Sequence, residues 1–114
     1  MMKQHYKNTL QKGSVRYIVF KEEDTWYAVA LEFNIVEAGD DPREALLLLL
    51  EAIKGYVASA QKIKARPAML NQAPDQEYEE LWEKINEEKS LNTSRSLPPI
   101  YAFGRQALAS NHYL

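Results

Sequence analysis

Any chemistry in this chain would have to come from carboxylates. Its 114 residues hold sixteen Asp and Glu, two His and no Cys. Without cysteine there is no thiolate nucleophile, no disulfide framework and no thiolate-based zinc site. His5 and His112 stand near the two ends of the sequence, outside any metal-ligand spacing. The four glycines are scattered and build no phosphate cradle, and no Gly-x-Ser-x-Gly string occurs. The acids best placed for a paired acid–base role or a magnesium site are Glu37, Asp40 and Asp41, clustered where a strand pattern ends. The same spacing suits a structural task. Asp41-Pro42-Arg43-Glu44 has the form of a helix start, with Asp41 as cap, Pro42 at the first position and Glu44 closing a capping box. We assign Asp40 and Asp41 to capping and Glu37 to a solvated strand face, and expect no catalytic site, no metal and no cofactor. Trp26 and Tyr27 fit either a binding platform or cross-strand packing.

The elements that hold these residues follow from periodicity. Val15-Arg16-Tyr17-Ile18-Val19-Phe20 is β-branched and aromatic, the signature of a strand. Glu22-Glu23-Asp24 breaks the run, and Thr25 to Phe33 resumes it. In the second run Tyr27, Val29, Leu31 and Phe33 fall on one face at period two, with Trp26, Ala28, Ala30 and Glu32 on the other. Together they predict an antiparallel hairpin, extended through Asn34 into a short third strand, Ile35 to Ala38. A long helix is expected from Pro42 to about Lys62 or Lys64, with Leu46, Leu49, Leu50, Ile53, Tyr56, Val57 and Ala60 on its apolar stripe. Leu47 and Leu48 lie off that stripe, open to cover by a second copy or by the chain's own later segments. Gly55 costs this helix about 1 kcal/mol relative to alanine and suggests close packing there. A second, acidic helix should follow Asp75, with Tyr78, Leu81, Trp82 and Ile85 at i, i+3, i+4 and i+7. Ile100 to Phe103 has the composition of a short fourth strand, and Arg105 to Leu114 shows no strong pattern.

The net charge of −2 is unevenly distributed. Residues 1–21 carry +5, residues 22–51 carry −8, residues 52–74 carry +4 and residues 75–89 carry −5. Blocks of alternating sign are ordinarily the solvated faces of successive elements, and a nucleic-acid binder would concentrate its bases on one surface. Hydrophobic residues make up 46% of the chain, enough for one core and too many for a wholly disordered protein. The longest apolar run, Ala45 to Leu50, is far short of the ~18 residues that a bilayer span needs. No secretory pattern is visible in Met1 to Gln11, and we expect a cytoplasmic protein.

The block from Val15 to about Val57 resembles the HicB family of antitoxin-like proteins. The likeness rests on a strand followed by Trp26-Tyr27-Ala28-Val29-Ala30-Leu31-Glu32-Phe33, a short third strand, and Gly39-Asp40-Asp41-Pro42-Arg43-Glu44-Ala45-Leu46 leading into a helix with Glu51-Ala52-Ile53. Asp41 stands where that family usually has Thr or Ser. The resemblance implies a β-β-β-α-β unit of partial RNase H-like fold, without nuclease activity, that binds and silences a HicA-like mRNA-cleaving toxin. Family members commonly add a C-terminal DNA-reading module. Residues 75–114 depart from that, offering one acidic helix and a Pro-containing tail, so specific DNA binding is not expected.

The fold expected is therefore α+β: a three-stranded antiparallel sheet, with room for a fourth strand, packed on one long helix and joined by a short acidic helix. Residues 1–13 form a lead-in, 14–74 the HicB-like unit and 75–114 the accessory helix and tail. Two functions of different kinds are open. One is toxin neutralisation through the acids Glu22, Glu23, Asp24, Glu32 and Glu37, whose charge would attract a basic RNA-binding partner. The other is an orphan, HicB-like interaction or adaptor module with no toxin. A homo-oligomer, at least a dimer, is expected through Leu47 and Leu48.

Overall fold

A computed structural model of the chain describes residues 8–9, 13–91 and 97–108. The order of elements is β1 (Ser14–Glu22), β2 (Thr25–Ala30), β3 (Ile35–Gly39), α1 (Pro42–Lys62), α2 (Gln76–Leu91) and β4 (Ile100–Ala107), with 3-10 turns at Leu31–Phe33 and Pro67–Leu70. The architecture is α+β, built on a four-stranded antiparallel sheet in the order β3-β2-β1-β4.

β1 lies inside the sheet and is covered on both faces, which explains its nearly continuous apolar sequence. Val15, Tyr17 and Val19 point to one face, where they meet Ala28, Ala30, Leu49 and Ile53. Ile18 and Phe20 point to the other, where they meet Val29, Leu31 and Ile85. The two helices thus sandwich the sheet, with α1 on the first face and α2 on the second. Tyr78, Leu81 and Trp82, the stripe read from the sequence of α2, pack against this second face.

The β1–β2 hairpin closes at Glu23-Asp24, with Glu22 opposite Thr25. The strand after it is shorter than its pattern suggests. β2 stops at Ala30, and Leu31–Phe33 coils into a 3-10 turn that ends on Asn34 in the left-handed region, at φ 52°. Phe33 consequently leaves the face of Tyr27 and Val29 and joins the α1 side, its ring 4.7 Å from that of Tyr56. Strict alternation fails here because the chain must reverse within four residues to begin β3.

α1 starts as its sequence predicts. Asp41 Oδ1 accepts from the Glu44 amide at 3.0 Å, and Glu44 Oε1 accepts from the Asp40 amide at 2.8 Å. Gly39 is needed at this junction, since a β-carbon there would lie 2.9 Å from Glu44 Oε1 and 3.0 Å from the Ala45 amide. Ala45, Leu49, Ile53 and Ala60 are the buried residues of α1. At its end Lys64 takes the left-handed conformation and the Ala65 amide returns to the Ala60 carbonyl at 2.8 Å, a Schellman-type close.

The fourth strand is fully formed and continues beyond Phe103 to Ala107. Its pairing runs from Phe20↔Ile100 to Ser14↔Ala107, with a bulge at Val19/Phe20. Weak local propensity in Gly104, Arg105 and Gln106 is overridden by the ladder that β1 offers. α2 and β4 therefore build onto the same sheet as the hairpin, with Ile85 buried on one face and Leu108 on the other.

Within the segment read as a lead-in, Asn8 is only 2% exposed. Its side chain donates to the Leu70 carbonyl at 2.8 Å and accepts from the Ser14 amide at 2.7 Å. Asn8 and Asn71 also exchange hydrogen bonds between one residue's side chain and the other's backbone, both at 3.0 Å. Gly13, at φ 146°, lets the chain pass, since any β-carbon there would collide with Asn8. His5 and His112 lie outside the described residues.

Candidate functional site

The acids singled out in the sequence are placed on three different surfaces. Glu22, Glu23 and Asp24 form the exposed tip of the β1–β2 hairpin. Glu23 adopts φ 57°, a conformation that favours glycine or asparagine and costs an ordinary side chain about 1 kcal/mol. Glu37 sits on edge strand β3 opposite Ala28, whose side chain belongs to the α1 face. Asp40 and Asp41 are at the start of α1, where Asp41 caps the helix and the Asp40 amide is held by Glu44. Glu37, Asp40 and Asp41 do not converge. Among the described residues no group of three His, Asp or Glu side chains is arranged to hold a metal ion.

Glu32 is engaged within the chain. Its Oε1 accepts from the Arg16 amide at 2.9 Å, and its Oε2 accepts from Arg16 Nε at 2.5 Å. The far side of the same guanidinium makes a two-pronged pair with Glu79 of α2, both bonds 2.8 Å long. Arg16 thereby ties β1, the turn after β2 and α2 together. Its guanidinium also lies 5.4 Å from the centre of the Trp82 ring, and Arg105 approaches that ring at 6.0 Å. The hydrogen bond from Arg16 is the main force holding the Glu79 carboxyl below its ordinary value, against a smaller opposing effect of burial. The Glu79 bond likewise holds Arg16 more firmly protonated than an ordinary arginine, although burial works against it. Sequence reading missed this clamp. The available signal was a lone Arg among apolar residues of β1, on the face that the α2 stripe must cover.

A second group of acids joins the hairpin tip from α2. Glu22, Glu77 and Glu80 rim a cleft of about 300 Å³ whose floor includes Phe20, Tyr78 and Leu81. Lys84 is the single base on this rim among the described residues. The Tyr78 hydroxyl titrates above the ordinary tyrosine value, first because it is partly buried and then because Glu77, Asp75 and Glu22 surround it. The negative potential here therefore has contributions from two separate chain segments. The rim acids of α2 carried no site reading in the sequence, where residues 75–89 stood only as an acidic helix.

Trp26 and Tyr27 lie on opposite faces and form no joint platform. Trp26 packs edge-on to Tyr101, with ring centres 6.3 Å apart, beneath Lys21 at 5.8 Å. Tyr27 lies against Phe20 at 5.8 Å. Leu47 and Leu48 are 62% and 42% exposed on the outer side of α1. No helix among the described residues is long and apolar enough to cross a membrane.

Comparison with known protein families, with characterised proteins and with solved structures finds no match to this chain.

Proposed function

We propose that this chain is a non-catalytic, cytoplasmic binding protein of HicB-like type that silences a HicA-like mRNA-cleaving toxin by protein–protein contact. The observation that supports this most is the acidic rim, where the hairpin tip and the first turns of α2 bring Glu22, Glu23, Asp24, Glu77 and Glu80 to one end of the sheet. A basic RNA-binding surface would be steered to such a rim, and occupancy there would compete with RNA for the same bases. Glu23 adds weight, because a glutamate held in a glycine-like conformation sacrifices stability at the point where the charge is most accessible. The block from Trp26 to Leu46, with its Gly39 turn and capped helix, keeps the order of elements that the HicB resemblance implies. Glu32 contributes to structure through Arg16, and Glu37 would meet the toxin only if its surface wrapped the β3 edge.

The test is co-expression with a small basic toxin of HicA type. The wild-type chain should restore growth and co-purify with the toxin. Replacing Glu22, Glu23 and Asp24 together by Lys should abolish both while leaving the circular dichroism spectrum unchanged. Growth arrest that is equal with and without the wild-type chain, together with no co-purification, would overturn the proposal.

A second reading, an orphan HicB-like interaction module, is favoured by one feature. α2 packs on the sheet and β4 completes it, and among the described residues there is no separate DNA-reading pair of helices. On either reading, sequence-specific DNA binding is not expected of this chain.

A further inference from the structure

We infer that residues 62–69, the close of α1 and the 3-10 turn after it, form a contact surface for an anionic lipid bilayer. Nothing in this depends on the toxin reading.

Apolar exposure is the first observation. Ile63 is 68% exposed, more than any other large apolar residue described, and Met69 is 43% exposed. The exposure does not come from a loose backbone. Each carbonyl from Arg66 to Leu70 accepts a hydrogen bond, from the Met69 and Asn71 amides and from the Tyr56, Asn71 and Asn8 side chains. Ile63 is held in turn by its amide, which donates to the Ser59 carbonyl at 3.1 Å. A pinned turn gains nothing inside the chain by keeping two large apolar side chains in water.

The second observation is charge. Lys62, Lys64 and Arg66 are exposed on the same turn, and among the described residues none has an ion-pair partner. Residues 52–74 hold no acid, and Asn8, bonded behind the turn, belongs to a stretch with none before Glu22. Where this part of the chain meets Glu32, that carboxylate is already held by Arg16. The helix dipole accounts for a base at the end of α1, but not for Arg66 beyond it. Lys64 takes φ 54° just after the cap, where glycine or asparagine ordinarily stands. Conformational ease is given up there for a cation.

A lipid surface meets both features at once, with anionic headgroups for the bases and an apolar interior for Ile63 and Met69. It needs no matching pocket, which suits side chains that project from a turn and line neither the acidic cleft nor the groove between α1 and the end of β4. A nucleic acid would meet the charge but leave both apolar side chains in water. The neighbouring Tyr56 ring is packed on Phe33 and is not open to a base. Asn8 also places the turn beside Ser14, at the opposite end of β1 from the acidic rim. At about 3.3 Å per residue, β1 separates the two by ~26 Å, about three screening lengths at physiological salt. The rim therefore repels the headgroups little, and a docked chain holds it away from the bilayer.

Co-sedimentation of the full chain with vesicles reads the proposal directly. Phosphatidylcholine vesicles with ~30% phosphatidylserine should carry the chain down at ~50 mM salt, and phosphatidylcholine alone should not. Lys64→Gln should weaken binding about fivefold, the effect of one base at such a surface. Lys84→Gln, an equal loss of charge at the acidic cleft, should leave it unchanged. Ile63→Ser combined with Met69→Ser should weaken it about tenfold with the circular dichroism spectrum unchanged, since neither side chain is buried. A wild type that stays in solution with the anionic vesicles overturns the proposal. So does binding that Lys84→Gln weakens as much as Lys64→Gln, or that ignores the loss of Ile63 and Met69. Retention on double-stranded RNA through the same bases, with none on vesicles, would overturn it in favour of a nucleic-acid contact.

Discussion

On the α1 face of the sheet, Val15, Val19, Ala28 and Ala30 meet Leu49 and Ile53, and the rings of Phe33 and Tyr56 pack beside them. On the α2 face, Ile18 and Phe20 share their surface with Tyr27, Tyr78, Trp82 and Phe103, and Arg16 is clamped between Glu32 and Glu79. Both helices are held by packed side chains that include rings, and the short acidic helix is held in addition by directed charge–charge bonds. Apolar burial is non-directional and scales with area, whereas a two-pronged guanidinium bond fixes both position and angle. The α2 face also carries the acidic rim, so the less oily side of the sheet is where a partner would read the surface.

Core truncations should separate the two faces most strongly. Leu49 is fully buried among small neighbours that cannot collapse into the space it would leave. Leu49→Ala should cost about 3–4 kcal/mol in urea unfolding, the transfer of the side chain plus the cavity left behind. Ile85→Ala, under the more aromatic face, should cost about 2–3 kcal/mol. If Ile85→Ala proves the more damaging, the α1 face is not the principal core.

The Arg16 clamp comes next. Arg16→Met keeps much of the side-chain volume but leaves Glu79 and Glu32 without their cation, and should cost about 2 kcal/mol. Melting followed by tryptophan fluorescence should show this as a loss of order around Trp82, with α1 less affected. Equal loosening of both helices would mean that the clamp holds the whole sheet rather than α2.

These differences mark how far the sequence could be read. The hairpin, the long helix and its Asp41 cap follow from local rules, because β-branched runs, the Gly39 turn and the Pro42 start each act within a few residues. The fate of Phe33 and the length of β4 do not, since both depend on distant segments: the reversal into β3 for one, the free edge of β1 for the other. The clamp is legible only in part, for Arg16 stands out in β1 but Glu79 lies 63 positions away. For the same reason, the hairpin acids could be singled out from their own cluster, while their neighbours Glu77 and Glu80 could not.

Acid and alkali both address the α2 face. Glu79 titrates below the ordinary glutamate value in the folded chain, so its ionised form favours folding. That stability is fully present above the unfolded value, about pH 4.5, and is lost as pH falls through the folded value. Arg16→Met should flatten this acid limb of a stability–pH profile. Tyr78 titrates above its ordinary value, so its neutral form favours folding. Its contribution is fully present up to about pH 10 and is lost as pH rises further, and Tyr78→Phe should remove that loss. An acid limb that Arg16→Met leaves unchanged would assign the titration to other carboxylates.

The smallest expected difference is between the two helix starts, each capped by an aspartate. Asp41 accepts from the Glu44 amide at 3.0 Å, and Glu44 returns the favour by accepting from the Asp40 amide at 2.8 Å. Asp75 accepts from the Glu77 amide at 3.0 Å, and its own amide donates to Asn34 Oδ1 at 3.1 Å. Removing Asp41 breaks one arm of a reciprocal pair in front of the helix that covers the principal core. Asp41→Ala should therefore cost about 1 kcal/mol, near the centre of the range for a cap. Asp75→Ala also removes a negative charge from a crowded acidic turn that includes Glu77 and Glu79. Relief of that repulsion offsets part of the lost bond, and the net cost should be about 0.5 kcal/mol at low salt. Raising the salt concentration screens the repulsion and should widen the Asp75→Ala cost toward that of Asp41→Ala. Costs that stay apart at every salt concentration would show that reciprocal bonding around Asp41, rather than charge crowding around Asp75, sets the two starts apart.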